Sequence, residues 1–154
     1  MMAKAKRRCL IVERHKWETG AYRHQLQFPL KIADQFFGPG RTDLQIQVRV
    51  FPPSAPGKSP AFVRNMAISR RYRQSATRRT NRVAAMGKIP SAFVFFQETG
   101  RPGVYDLWWL TDKAVVVARF RQCEWVQARN NQHGRGRLAV IVPAPVPRRI
   151  DRMD

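Results

Sequence analysis

The residues best suited to binding chemistry form one arginine-rich run, residues 69–82, in which six of the fourteen residues are arginine and none is acidic. The lack of acids extends further, since no carboxylate occurs between Asp43 and Glu98, whereas eight Arg and two Lys do. Arginine and the interspersed Ser, Thr, Asn and Gln can all donate hydrogen bonds to phosphates or base edges. A run of this charge repels itself unless an anion lies against it. We therefore predict a loop that grips nucleic acid, and a solvated basic loop or disordered arm is the alternative.

A second basic segment covers residues 15–23 and is followed by His24. Its cationic and aromatic residues are Lys16, Trp17, Tyr22 and Arg23. The two cations have the chemistry of phosphate contacts. The two aromatic residues could press on sugar-phosphate or a base, or simply pin the loop. His24 has two interpretations, a polar residue on a strand face or a DNA contact at the end of this loop.

Catalytic motifs do not accompany these basic segments. A metal-dependent nuclease of the restriction type needs an Asp and a Glu-x-Lys pair to hold the cation and position water, and the chain has no Glu-x-Lys or Asp-x-Lys. It also lacks a P-loop, a GxGxxG motif, a nucleophile elbow and clustered histidines. We predict that this chain is not an enzyme and uses no cofactor and no metal. A small basic nuclease with an unrecognised site is the rival from another class, and an RNA-binding structural protein is a third possibility.

Composition agrees with a binding protein. The 154 residues carry a net charge of +19 and are 44% apolar, which predicts one domain with a core and a polyanionic partner, nucleic acid ahead of a membrane surface. No apolar stretch is long enough to span a bilayer, and residues 9–12 are too short for a signal-peptide core. Cys9 and Cys123 lack ligand spacing. We expect a reduced protein in the bacterial cytoplasm.

Short alternating or apolar runs predict six or seven strands, within residues 9–14, 24–29, 43–51, 62–68, 91–98, 104–111 and 138–142. Residues 30–37 have helical spacing and end at a Gly-Pro-Gly sequence. Asp112 could cap a second helix from Lys113 to about Arg121, although the valines at 115–117 suit a strand equally. The aromatic residues of the central strands are predicted core, namely Phe93, Phe95, Phe96, Trp108 and Trp109.

These elements predict a mainly β fold that is closed or nearly closed. The predicted organisation is a basic tail over residues 1–8, a domain over residues 9–142, and a Pro-rich, charged tail or linker over residues 143–154.

Two blocks of sequence together resemble a known family. The first block is similar to the N-terminal effector domain of EcoRII-type (type IIE) restriction endonucleases. It consists of Thr19-Gly20-Ala21, then His24-Gln25, then Pro29 and the short helix with Phe36-Phe37. Thr77-Arg78, Arg82-Val83 and Gly87 resemble that family's next conserved block. The resemblance covers roughly residues 9–125, and the order of the elements between the blocks also agrees.

The resemblance implies a B3-like DNA-binding pseudobarrel of about seven strands with one or two short helices. Such a domain grips the DNA major groove between an N-arm, here about residues 15–25, and a C-arm, here residues 70–87. In the family it binds a second copy of the CCWGG sequence and controls a separate catalytic domain. Thr80 and Asn81 stand where the family has Glu and Lys, and Met86 replaces its Trp, so the sequence that this chain reads stays open.

The implied partners are double-stranded DNA and a catalytic nuclease domain in the parent protein, with this domain monomeric. A free-standing DNA-binding regulator of the same fold is the alternative. The predicted DNA-binding residues are Lys16, Trp17, Thr19, Tyr22, Arg23, His24 and Gln25 in the N-arm, and Arg70, Arg71, Arg73, Thr77, Arg78, Arg79, Thr80, Asn81 and Arg82 in the C-arm.

Overall fold

Nine strands of the described chain form one continuous sheet. The computed structural model describes residues 6–15, 26–39, 43–51, 62–69, 80–83, 90–128 and 137–149. The elements in these ranges are β1 (Arg8–Arg14), β2 (Leu26–Pro29), α1 (Leu30–Phe37), β3 (Leu44–Val50), β4 (Phe62–Ser69), β5 (Thr80–Val83), β6 (Ala92–Glu98), β7 (Val104–Leu110), α2 (Lys113–Arg119), β8 (Val126–Ala128) and β9 (Arg137–Pro143). The strand order is β2-β5-β4-β3-β7-β6-β1-β9-β8.

The mainly β prediction is confirmed, and each predicted strand has a counterpart among the described elements. The predicted helix over residues 30–37 is also present, and it ends where Gly38, with φ of 92°, donates its N–H to the Asp34 carbonyl at 3.0 Å. The segment after Asp112 is a helix rather than a strand. Its first turn is capped because the Asp112 carboxylate accepts the Val115 N–H at 3.2 Å.

Two strands, β5 and β8, were not predicted. Strand β5 lies inside the arginine-rich run, which was expected to be a loop, and β8 has only three residues. Both are held by their neighbours, since β5 pairs with β2 and β4, and β8 pairs with β9. Their formation depends on long-range ladders rather than on a local apolar pattern.

All ladders are antiparallel except that between β3 and β7. The sheet curls, because β2 lies close to β1, β8 and β9 although these are far from it in strand order. Within the described residues no ladder joins the edge strands β2 and β8. The sheet is therefore not closed, and the predicted pseudobarrel is not confirmed.

One face of the sheet packs on the amphipathic helix α1. Ile32, Ala33 and Phe36 of α1 are buried in this inner core. The strand residues packed with them alternate along each strand, as a sheet with a buried face requires: they include Leu10 and Val12, Leu26 and Phe28, Ile46, Val48 and Val50, and Val94 and Phe96.

The opposite face carries a second core over β9, β1, β6 and β7. Phe93, Phe95 and Trp108 are fully or almost fully buried there, and the rings of Phe95 and Trp108 stack at 5.1 Å between centroids. The predicted core role of these aromatic residues is thus confirmed, as it is for Phe96 in the inner core, whereas Trp109 is only partly buried. Val116 of α2 packs on this second core.

Cys9 also belongs to this second core and is fully buried. Burial raises the pKa of the Cys9 thiol, so it stays a protonated, apolar core residue.

Ala144 and Val146, in the segment predicted to be a C-terminal tail or linker, pack on the second core. Pro143 ends β9, Val146 is buried, and its N–H donates to the Gln97 side-chain oxygen at 2.7 Å. Ala144 donates its N–H to the Arg7 carbonyl at 3.0 Å. Burying Val146 stabilises this packing by about 1.5–3 kcal/mol, and the domain boundary at residue 142 stays a prediction.

The two described helices have eight and seven residues, and neither has the length or the apolar character to cross a membrane.

Candidate nucleic-acid interface

Most predicted DNA-binding residues lie outside the described ranges. Those of the N-arm are Lys16, Trp17, Thr19, Tyr22, Arg23, His24 and Gln25, and those of the C-arm are Arg70, Arg71, Arg73, Thr77, Arg78 and Arg79. The other three, Thr80, Asn81 and Arg82, lie on strand β5. The prediction that these three belong to a loop is wrong, because all three pair with β2 and Arg82 also pairs with Ser69 of β4.

Strand β5 lies between the strand that follows the N-arm and the strand that precedes residues 70–79. It pairs with β2, the strand that the N-arm enters, so that Leu26 stands opposite Val83. It also pairs with β4, with Ser69 opposite Arg82. Residues 70–79 therefore connect two adjacent antiparallel strands, and the N-arm leads into the strand on the other side of β5. Arms that are far apart in sequence are thus rooted on three neighbouring strands.

The strand directions place the two roots at opposite ends of β5. The N-arm enters at the end marked by the Leu26–Val83 pair, whereas residues 70–79 join β5 at the end marked by Thr80 and Pro29. Four residues of extended strand span about 10 Å. This separation is close to the width of the DNA major groove, about 12 Å.

The register of β5 separates two predicted base-reading positions. Arg82 stands opposite Gln27, whereas Asn81 stands opposite Phe28, which is fully buried in the inner core. Residues directly opposite in an antiparallel ladder share a face of the sheet. Position 82 therefore lies on the face away from the inner core, and position 81 lies on the core face.

A partly exposed, mainly polar surface lies on the next two strands, on the sheet face away from the inner core. We call it the polar face, and it consists of Gln45, Gln47 and Arg49 on β3 and Val63, Asn65 and Ala67 on β4. These residues alternate with the buried Ile46, Val48 and Met66, so they lie opposite the inner core. All of them fall in the acid-free interval of the sequence, so β3 and β4 contribute no carboxylate to this surface.

The polar side of β3 was predicted from its alternation but was not assigned to DNA binding. The signal that could have identified it is the coincidence of period-two alternation with the carboxylate-free interval. Amide side chains such as those of Gln45, Gln47 and Asn65 can donate to phosphates and pair with base edges.

One ion pair marks the border of the polar face. Asp106, on the neighbouring strand β7, accepts a hydrogen bond from Arg49 Nε at 2.6 Å. This hydrogen bond raises the pKa of the Arg49 guanidinium, which is therefore charged at any working pH. The pair is partly exposed and holds Arg49 in place while it cancels one positive charge at the border.

The root of the N-arm is fixed by a buried carboxylate. Glu13, near the end of β1, is fully buried, and its Oε2 accepts from Lys113 Nζ of α2 at 3.1 Å. Its Oε1 accepts the Leu138 N–H of β9 at 3.3 Å, and His15 Nε2 lies 3.8 Å from the same oxygen. Glu13 thus ties three elements together where the N-arm begins. In the described part of the chain, no group of three or more His, Cys, Asp or Glu is arranged to hold a metal ion.

Comparisons with protein-family models, with curated proteins and with solved structures give no match to this chain. The resemblance to the effector domain of EcoRII-type endonucleases therefore stays a prediction.

Proposed function

We propose that this protein binds double-stranded DNA in a sequence-specific manner, with the N-arm and the C-arm in the major groove. Strand β5 is the observation that carries the proposal. It pairs with the strand that follows the N-arm and with the strand that precedes the arginine-rich run. The pairing of β5 with β4, and of β4 with β3, also makes β5 a near neighbour of the polar face. The strands that adjoin these two basic segments are therefore neighbours in the sheet, next to a surface of β3 and β4 that has no carboxylate of its own.

The burial of the aromatic residues in the described ranges favours a duplex over a single strand. Proteins that bind single strands stack bases on exposed aromatic side chains. The central aromatic residues Phe93, Phe95 and Trp108 are buried, and the large hydrophobic residues that are exposed in the described ranges are Val63, Val115 and Val117. Besides the aliphatic Val63 and Ala67, the polar face carries three amides and one guanidinium, which suit base edges and phosphates.

Within this proposal the arms have different tasks. Lys16 and Arg23 of the N-arm are assigned to phosphates, and Arg78, Arg79 and Arg82 of the C-arm are assigned to bases, since arginine can donate two hydrogen bonds to guanine. We further propose that the domain is the effector part of a restriction endonuclease with a CCWGG-like target, and that the nuclease active site lies in another domain of the parent protein.

Fluorescence anisotropy tests the binding class. The ligands are a CCWGG duplex, a scrambled duplex of equal length, the single strand and a structured RNA, each measured over a range of salt concentrations. We expect a preference for duplex and a log–log salt slope of about −5 to −7, which corresponds to about six to eight neutralised phosphates. Equal or tighter binding of single strand or RNA contradicts the proposal, and a slope near zero contradicts backbone gripping.

A preference among duplexes tests sequence specificity. If the CCWGG and scrambled duplexes bind equally, selection from a random duplex library identifies the target, and a library that yields no preferred sequence contradicts specific recognition. Incubation of plasmid with Mg²⁺ or Mn²⁺ tests the catalytic assignment, with no cleavage expected. Cleavage that disappears when one of this chain's own carboxylates is mutated would show that the domain itself is a nuclease.

A further inference from the structure

A basic pocket lies at the end of the sheet formed by the start of β1 and the β6–β7 hairpin. Its volume is about 360 Å³, and its charged lining residues are Lys6, Arg7, Arg8, Arg101 and Glu98. None of these residues was predicted to contact DNA. The pocket combines four cationic side chains with one carboxylate, which leaves three positive charges.

The single carboxylate is satisfied within the protein. Glu98 Oε1 accepts the backbone N–H of Arg8 at 2.7 Å and Arg8 Nε at 3.2 Å, and Glu98 Oε2 accepts from Arg8 Nη2 at 3.3 Å. Arg8 also donates to the carbonyls of Gln35 and Phe36 at the end of α1. Arg8 and Glu98 thus form a structural pair, and the excess charge of the pocket belongs to Lys6, Arg7 and Arg101.

Two of the three excess cations are positioned by the hairpin. The Arg7 guanidinium lies against Gly100, where a Cβ atom would stand 2.8 Å from Arg7 Nη2. Gly100 and Gly103 both have positive φ, which glycine adopts without strain. Thr99 Oγ1 accepts the Arg101 N–H at 3.3 Å and donates to the Val104 carbonyl at 2.9 Å. The backbone that carries Arg101 is thereby fixed, so less backbone freedom is lost when the Arg101 side chain binds a phosphate.

The pocket lies at the same end of the sheet as the arginine-rich run. Leu44 stands opposite Ile68 at the end of β4, from which residues 70–79 leave the sheet. The start of β7 and the end of β6 lie at the same end of the sheet, because Gln47 of β3 is aligned with Val104 of β7 and Tyr105 of β7 is opposite Glu98 of β6. The end of β4 and the end of β6 are three strand spacings apart, about 14 Å along the sheet. That distance corresponds to about four base pairs at 3.4 Å per pair.

We propose that Lys6, Arg7 and Arg101 bind a phosphodiester of the DNA duplex that flanks the segment held by the arms. Arginine forks bind phosphate oxygens with two hydrogen bonds. The pocket then lengthens the footprint on one side without reading bases. This inference rests on the proposed duplex binding, and its test separates the two.

The test compares two double variants on two lengths of duplex. Arg7→Ala with Arg101→Ala removes two pocket cations, and Arg119→Ala with Arg121→Ala removes the same charge from exposed positions at the end of α2. Affinity is measured for a duplex of about 10 base pairs that covers only the arms and for one of about 30 base pairs. We expect the pocket variant to lose about tenfold on the longer duplex and to lower the magnitude of its salt slope by about 1, because one phosphate is no longer neutralised. We expect both variants to bind the shorter duplex alike.

If the two variants weaken the longer duplex equally, the pocket contributes only general charge and this inference is overturned, while duplex binding stands. If the wild type binds neither duplex, the proposed function and the inference fall together. Thermal melting checks the fold, and Arg7→Gln with Arg101→Gln replaces the alanine pair if the latter unfolds. Inorganic pyrophosphate distinguishes a free anion from DNA. The DNA assignment is overturned if pyrophosphate raises the Tm of the wild type but not of the pocket variant, while the pocket variant binds the longer duplex as tightly as the wild type does. In that case the pocket binds a free phosphate.

Discussion

The two halves of the sheet use their faces differently. Strands β9, β1, β6 and β7 are buried on both faces, by α1 on one side and by α2 and residues 143–149 on the other. Strands β3 and β4 are buried only on the inner side, and their other side is the polar face. Ile11 and Phe95 in the first half therefore occupy positions equivalent to those of Gln47 and Asn65 in the second, but their environments are opposite.

This difference separates stability from binding. Substitutions in the doubly covered half lower the free energy of unfolding unless they preserve the packing. Substitutions on the polar face change it little. Residues 70–79 connect β4 to β5, next to the open face, whereas the N-arm connects β1 of the doubly covered half to β2, which pairs with β5. We interpret the first half as a scaffold and the second as the binding surface. The following predictions test that division, in decreasing order of expected effect.

Phe95→Ala should lower the free energy of unfolding by about 3–5 kcal/mol, because it leaves a cavity beside Trp108 in the doubly covered half. Gln47→Ala on the polar face is the matched control and should change it by less than about 0.5 kcal/mol. Urea denaturation followed by Trp fluorescence measures both. Similar losses in the two variants would contradict the division into scaffold and surface.

Lys113→Met should lower the free energy of unfolding by about 3 kcal/mol, because it leaves the Glu13 carboxylate buried without its ammonium partner. This loss is at the lower end of the range expected for breaking a buried ion pair, because the Lys113 side chain is 24% exposed. Arg119→Met on the same helix is the control. The addition of Glu13→Gln to Lys113→Met should recover part of the loss, and no recovery would show that Lys113 stabilises through something other than this pair.

Arg82→Ala should lower discrimination between the target and a scrambled duplex by about 1–3 kcal/mol, as expected for an arginine that reads a base. Arg79→Ala, in the preceding connection, should be measured beside it, and at least one of the two should bring the affinity ratio close to one. If both variants keep the wild-type ratio but bind both duplexes more weakly, the C-arm contacts only the backbone. Sequence reading must then be assigned to the N-arm.

Lys16→Ala with Arg23→Ala should weaken specific and scrambled duplexes alike by about 1 kcal/mol, because these cations are assigned to phosphates. Anisotropy at fixed salt, with circular dichroism to confirm folding, measures the effect. A folded double variant with wild-type affinity would remove the N-arm from the interface.

Asp106→Asn should strengthen binding to any duplex about twofold, because it removes the carboxylate that pairs with Arg49 at the border of the polar face. Stability should fall by no more than about 1 kcal/mol, since the ion pair is partly exposed. The same substitution at Asp112 is not a suitable control because Asp112 caps α2. Asp34→Asn, on α1, is the charge-matched comparison, and an equal gain there would show that only net charge matters.

Sequence reasoning succeeded where a local pattern decides the structure. The alternation in residues 44–50 and the helical spacing of residues 30–37 depend on neighbours along the chain, and both are found in the structure. After Asp112 the sequence left helix and strand open, and the structure has a helix. The buried central aromatic residues also follow from local composition. Strand β5 and the packing of residues 143–149 depend on distant partners, and they were not predicted.

For the candidate site, the sequence alone determined the chemistry: the charge of +19, the acid-free interval and the arginine-rich run are properties of composition and order. Only the tertiary structure decided which residues share a surface. The pairing of β2 with β5 joins segments more than fifty residues apart, and the pocket joins Lys6 and Arg7 to Arg101. Strand ladders and surface pockets form between residues of large sequence separation, whose contacts follow from the packing of the whole sheet, whereas periodicity and charge are read from adjacent residues.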